Sequence, residues 1–306
     1  MSKNYFWDLT DKPQTKTKLK ILKDYLNAWA IIFANQKWCN SFYFIDCFAG
    51  RGKYHDDGKK NAIDGSPLIA LNIAKNIRLR YKREMNCFFI EKEPKIFKDL
   101  QDFCSVFQNQ GIKFECIEGD INNKIKDVLC LIPKGSPIFF FIDPGGIDIK
   151  RETMELMLTK PNIKEFLINY IQKGVERCYG VGKKIEEDLP LNIHKKVIGN
   201  LKRIQDFFGS DWQYLSENQK NNLKLFLNPI IEYNKKSVKK NQLSAKVIDI
   251  FYNKNRNKYH LIFLSRNPAA NKIIENIYIK TKTAGTLFES LPPAEKNRLF
   301  QGKFDF

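Results

Sequence analysis

The chain has 306 residues, 43% of them apolar, with a formal net charge of +18 and a pI near 9.4. That content can bury a sizeable core, as one large domain or one and a half, and no apolar run is long enough to span a bilayer. The seven cysteines are odd in number and lack Cys-x-x-Cys spacing, which argues against a disulfide framework or a zinc site and for buried free thiols.

No signal peptide is evident, so we expect a soluble cytoplasmic protein with no membrane partner. The positive charge suits a polyanionic partner such as nucleic acid. A composition rich in Lys and Asn accounts for the charge equally well.

Residues 1–14 are polar and aromatic without a clear period. From about Thr15 the spacing of Leu19, Leu22, Leu26, Trp29 and Phe33 predicts an amphipathic helix. Lys16, Lys18, Lys20 and Lys23 read as lying largely off its apolar stripe, on a solvated or phosphate-facing side. A first strand is predicted at 42–48; it carries Asp46 and runs into Gly50-Arg51-Gly52. A buried parallel strand delivers its carboxyl end to a ligand in this way, and the glycines suit a tight turn. The loop 53–65 is unusually long and polar for an α/β unit, as a lid or substrate loop would be. His55, Lys59 and Lys60 within it, and Ser66 just after it, are candidate substrate-binding residues. Ser66-Pro67 reads as an N-cap followed by proline at the first position of a helix reaching about Arg80.

Strands follow at 86–90, ending in Glu91, at 113–117, ending in Glu118-Gly119-Asp120, and at 137–142. The last is almost wholly apolar, predicts a central position, and ends in Asp143-Pro144-Gly145-Gly146. Helices are predicted at 94–108, 121–131 and 151–158, and a fifth strand at 165–170. Residues 171–243 read as a helical insert carrying Phe207, Phe208, Trp212 and Tyr214. Lys235, Lys236, Lys239 and Lys240 close it, as a phosphate clamp or a solvated linker. Runs at 245–252 and 258–265, joined by a polar turn, predict an antiparallel hairpin, and a helix at 268–278 precedes an irregular tail. The expected organisation is a helical arm (1–41), a core (42–170), the insert (171–243) and a C-terminal hairpin and helix completing the core (244–306). The fold class is α/β: a doubly wound, Rossmann-like, mostly parallel sheet with an antiparallel C-terminal hairpin.

Five parallel strands with a hairpin at the edge match the core of a class I S-adenosylmethionine-dependent methyltransferase. A dinucleotide site is less suited, because the third glycine of Gly-x-Gly-x-x-Gly is missing and a long loop separates Gly52 from the helix. S-Adenosyl-L-methionine needs acceptors for its amino group and ribose hydroxyls instead. Asp46, Phe48, Gly50 and Gly52 are assigned to its methionine end, Glu91 to the ribose and Asp120 to the adenine. Asp143 and Pro144 form the reacting end. In amino-methylating enzymes of this fold, Asp-Pro-Pro and a following aromatic hold the target amine, the aromatic stacking an extruded base. Here Gly145-Gly146-Ile147 keeps the acceptor and removes the ring. Cys47 reads as a packed strand-end residue, not a nucleophile, and no metal site is expected beyond a weak alternative built on Asp56, Asp57 and Asp64.

At KILKDYLNAW (20–29), IDCFAGRGKY (45–54), GSPLIAL (65–71), FIEKE (89–93), IDPGG (142–146) and HLIFLSR (260–266) the chain resembles the three-Cys-motif partner (TcmP-type) family. The resemblance implies a methyltransferase-like fold in bacteria and a separate partner protein carrying a three-cysteine motif. A looser similarity runs to ribosomal-RNA adenine N6-methyltransferases with a long loop after an Ala-Gly-x-Gly-x-Tyr motif. The leading expectation is methyl transfer to an amino nitrogen of RNA or DNA. The alternative is a non-catalytic subunit that binds S-adenosylmethionine or nucleic acid.

Overall fold

The computed structural model describes residues 13–54, 62–182, 191–253 and 256–283. Seven strands form one sheet: β1 (Ser41–Asp46), β2 (Glu84–Glu91), β3 (Phe114–Glu118), β4 (Ile138–Ile142), β5 (Lys164–Tyr170), β6 (Ser244–Asn253) and β7 (Arg256–Ser265). Their spatial order is β3-β2-β1-β4-β5-β7-β6. β1 to β5 are parallel, and β7 and β6 are antiparallel at the edge. This bears out the doubly wound reading and places the reversal of strand order between β1 and β4, where open α/β sheets bind ligands.

β4 is central, as its apolar run predicts: all five residues from Ile138 to Ile142 are fully buried. Each buried phenylalanine there contributes about 1.5–3 kcal/mol. One face of the sheet packs on α1 (Pro13–Ala34), α2 (Ser66–Tyr81), α3 (Pro94–Ser105) and α9 (Pro268–Thr283). Trp29 of α1 lies edge-on to Phe42 of β1 and Phe139 of β4, at 5.4 and 5.6 Å between ring centroids. Deeper in this layer the Tyr25 hydroxyl donates to Glu165 at 2.6 Å and Ser265 donates to its other oxygen at 2.8 Å, so α1, β5 and β7 are tied at a buried carboxylate.

The other face carries α4 (Ile121–Cys130), α5 (Arg151–Thr159), α6 (Gln172–Gly182), α7 (Leu191–Phe208) and α8 (Gln219–Lys236). The segment read as an insert is therefore built into the core. Phe207, Phe208, Phe226 and Ile230 share one buried cluster with Ile45, Phe140 and Phe166. Trp212 and Tyr214, in a short 3₁₀ turn, stay largely outside it. Lys235, Lys236, Lys239 and Lys240 come just before β6, whose first residue pairs with Ser265 and so lies level with Glu165 at the start of β5. That is the edge opposite the strand carboxyl ends.

Three local expectations are corrected. The predicted helix 94–108 stops at Ser105, and residues 108–110 form a separate 3₁₀ turn closed by Gly111 at φ +67°. Ser66 is not an N-cap: Gly65 holds that position, and Ser66 is buried at the first helical position near Asp46. Of the seven free thiols, Cys130 is exposed and Cys116 half-buried, because their elements end or edge the fold there. The centre of the 253–257 turn, the tail beyond 283 and residues 1–12 lie outside the described residues. No helix among the described residues is long and apolar enough to cross a membrane.

Candidate active site

The loops after β1, β2, β3, β4 and β5 converge with the start of α1 on one cleft of about 540 Å³. That is the size of a site for a cofactor or drug-sized ligand. Phe48, Gly50, Glu91, Asp120, Asp143 and Pro144 all line it, so six of the eight residues assigned from sequence to cofactor and chemistry meet in one place. Ile90, Ile96 and Ile121 supply apolar walls.

Glu91 organises the first turn. Its Oε2 accepts from the Gly50 N–H and its Oε1 from the Glu93 N–H, each at 2.9 Å. Both oxygens keep a lone pair for a ligand donor. Gly50 and Gly52 have φ of +62° and +90°, a region that favours glycine. Gly52 does not line the cleft. Its carbonyl accepts from the Gly65 N–H at 2.7 Å, and a Cβ on Gly65 would stand 2.8 Å from that oxygen. The long loop thus leaves and returns through a two-residue antiparallel ladder, Lys53 opposite Asp64 and Tyr54 opposite Ile63. Tyr54 reaches the cleft wall, whereas His55, Lys59, Lys60, Asp56 and Asp57 lie outside the described residues. Asp64 accepts from Asn72, and the described residues contain no cluster of three or more His, Cys, Asp or Glu side chains suited to a metal.

Asp46 and Ser66 sit one layer behind the cleft. Asp46 is fully buried; its Oδ1 accepts from the Phe48 N–H at 3.3 Å and its Oδ2 has no partner. Burial lifts its carboxyl to about 7; bonds from Ser66 and Phe48 oppose the shift, and the charges of Asp143 and Glu91 add to it. The folded chain therefore keeps this proton up to about pH 7, while the unfolded chain loses it near 4. The resulting stability is lost as pH rises between those values. Asp46→Asn removes the loss, so urea titrations should show the variant gaining on the parent from pH 4 to pH 8, by at most about 4 kcal/mol. Parallel pH profiles for the two proteins would contradict this placement of Asp46.

Asp120 caps α4, its Oδ1 accepting from the Asn122 N–H at 2.8 Å and from the Asn122 side chain at 2.7 Å. Asn122 in turn bonds the Asp148 carbonyl, the Lys150 N–H and the Thr153 hydroxyl. The loop after β3 is thereby fastened to the loop after β4.

The reacting end contains what sequence reading missed. Lys18 reaches from α1 to both oxygens of Asp143, at 2.7 and 2.5 Å, and Asn169 donates to Oδ1 at 2.6 Å. A carboxylate offers about four lone-pair sites. Three are taken, and one on Oδ2 is left for a substrate N–H. Lys18 is 7% exposed, so its assignment to the outer side of α1 is corrected. Gln14, Lys18, Leu22, Tyr25 and Trp29 follow one another at i+4 or i+3 along one helix face. A lysine continuing the apolar stripe was the available signal. Asn169 had a similar one, a lone amide in a strand buried at every position. Tyr259, whose hydroxyl donates to the Gln14 carbonyl at 2.6 Å, completes the wall beside the Lys18 ammonium. Cys47 is buried with its thiol pushed up by desolvation, which suits packing and not nucleophilic attack.

No family model matches the sequence, and no curated protein is significantly similar to it. Among solved structures, protein LPL1258 from Legionella pneumophila, of family DUF519, shares 11% identity over 88% of this chain and 92% of that one, with a TM-score of 0.51. A precorrin-6y C5,15-methyltransferase from Geobacter metallireducens matches at 9% identity, 79% and 87% coverage and a TM-score of 0.33. The O-methyltransferase TomG from Streptomyces achromogenes, solved with S-adenosylmethionine, matches at 10% identity, 87% and 99% coverage and a TM-score of 0.32. At such identities a likeness is one of fold alone. The strand order and the antiparallel edge pair are those of a Rossmann-like, mostly parallel α/β sheet.

Proposed function

We propose that the protein is an S-adenosylmethionine-dependent methyltransferase acting on an amino nitrogen of RNA or DNA. The observation that carries this reading is the convergence of Gly50, Glu91, Asp120 and Asp143 on one cleft at the strand carboxyl ends. The donor set fits the cofactor. Glu91 has lone pairs for ribose hydroxyls, Asp120 an acceptor oxygen for an exocyclic amine, and the isoleucines flat apolar walls. When bound, S-adenosylmethionine supplies an electrophilic methyl group.

Asp143 would accept one N–H of the target amine on Oδ2, turning the nitrogen lone pair toward the cleft. Lys18 and Asn169 fix the carboxylate plane so that this orientation is set before substrate arrives. The net charge of +18 suits affinity for phosphates. The TcmP-type resemblance adds a proposed partner, a protein with a three-cysteine motif, and a proposed cytoplasmic location.

The test is transfer of labelled methyl from S-adenosylmethionine to RNA, DNA and protein fractions of a bacterial lysate, assayed separately. Label is expected in one nucleic-acid fraction. Label confined to protein, or none anywhere with or without lysate protein added, would contradict the reading.

A further inference from the structure

Position 146 is where amino-methylating enzymes of this fold carry the aromatic ring that stacks the target base, and here it is glycine. The space in front of it is not empty. A Cβ on Gly146 would lie 3.1 Å from Nη2 of Arg203 and 3.4 Å from Oδ2 of Asp148. Arg203 comes from α7, whose buried Val197, Ile204, Phe207 and Phe208 anchor the helix to the core. Its Nη2 donates to Asp148 Oδ1 at 2.9 Å, and Nη1 stands 4.0 Å from the Cys178 sulfur. Asp148 and Gly145 line the cleft. The Arg203 side chain remains 43% exposed.

We propose that Arg203 replaces the missing ring: its guanidinium, held by Asp148 beside Asp143-Pro144-Gly145-Gly146, is the plate on which a nucleobase stacks with its amino group at Asp143. The proposal rests on the methyltransferase reading and deepens it, naming an unstacked purine or pyrimidine as the target. Guanidinium planes stack on bases as aromatic rings do, and add a cation–π contribution. A side chain at 146 and the guanidinium compete for the same space, because a Cβ there would already stand 3.1 Å from Nη2 and Arg203 would have to shift to admit it. Glycine at 146 leaves the guanidinium this place without displacement.

The test uses the full chain and whichever lysate nucleic-acid fraction the parent labels. Arg203→Ala should lower kcat/KM for that fraction by about 5- to 150-fold, the usual worth of one stacked base. S-Adenosylmethionine affinity, measured by calorimetry on the same preparations, should be unchanged, which separates a lost plate from a lost fold. Arg203→Lys keeps the charge and loses the plane, and should be nearly as slow as Arg203→Ala. Adding Gly146→Tyr to Arg203→Ala should recover transfer, because the ring enters the vacated space. Parental rates in Arg203→Lys would reduce the residue to a phosphate-binding charge and overturn the proposal. So would a double variant no faster than Arg203→Ala. A parent that labels no nucleic acid overturns the methyltransferase reading itself, and this proposal with it; that failure is seen before any variant is made.

Discussion

Asp143→Asn is expected to lower methyl transfer by about two to four orders of magnitude while S-adenosylmethionine affinity stays within about twofold. The amide keeps one acceptor, which Lys18 and Asn169 occupy, and turns a donor toward the substrate amine. Asp143→Ala adds a folding cost, because Lys18 is 7% exposed and loses its counter-ion. Breaking one side of such a pair costs about 3–5 kcal/mol. Lys18→Met should destabilise comparably for the opposite reason. The double variant Lys18→Met/Asp143→Ala should regain most of that stability and remain inactive. Urea unfolding beside methyl transfer for the three variants checks this. Additive stability losses in the double variant would show that the pair is not coupled, and an active double variant would remove Asp143 from the chemistry.

Glu91→Ala should weaken S-adenosylmethionine by about two orders of magnitude. Two charge-assisted bonds hold the turn after β1 and the start of α3 to this side chain, each worth about 1.5–3 kcal/mol. Removing it frees the Gly50 and Glu93 N–H groups and deletes the acceptor proposed for the ribose. Glu91→Gln separates the two effects. It keeps one carbonyl acceptor for the turn and should fall between the parent and alanine. Calorimetric titration with S-adenosylmethionine and, in parallel, with S-adenosylhomocysteine should show the same ranking, since both carry the ribose. An alanine variant with parental affinity would place the cofactor elsewhere.

The sheet was legible because its first four strands are short runs that end in or just before an acid, and because β4, buried on both faces, has no polar position to confuse the pattern. The acids at strand tips gave most of the cleft for the same reason: strand direction fixes which end a residue occupies. What failed was anything decided by depth instead of position. Asp46 and Gly50 are four residues apart, yet one is behind the cleft and the other lines it. Ser66 carries the right atoms for a cap, yet it lies inside the helix and buried, with Gly65 at the cap position. Lys18, Asn169 and Arg203 meet the site from α1, β5 and α7, at separations in sequence of 125, 26 and 55 residues from their partners. No local period encodes such meetings. They follow from how the helices close over the two faces of the sheet.

The most direct measurement is a calorimetric titration of the purified chain with S-adenosylmethionine, run beside Glu91→Ala and Asp143→Asn. The account expects saturable one-to-one binding by the parent, the same by Asp143→Asn, and binding weakened about a hundredfold in Glu91→Ala. No binding by a folded parent would contradict the assignment of the cleft, and the proposed activity would fall with it.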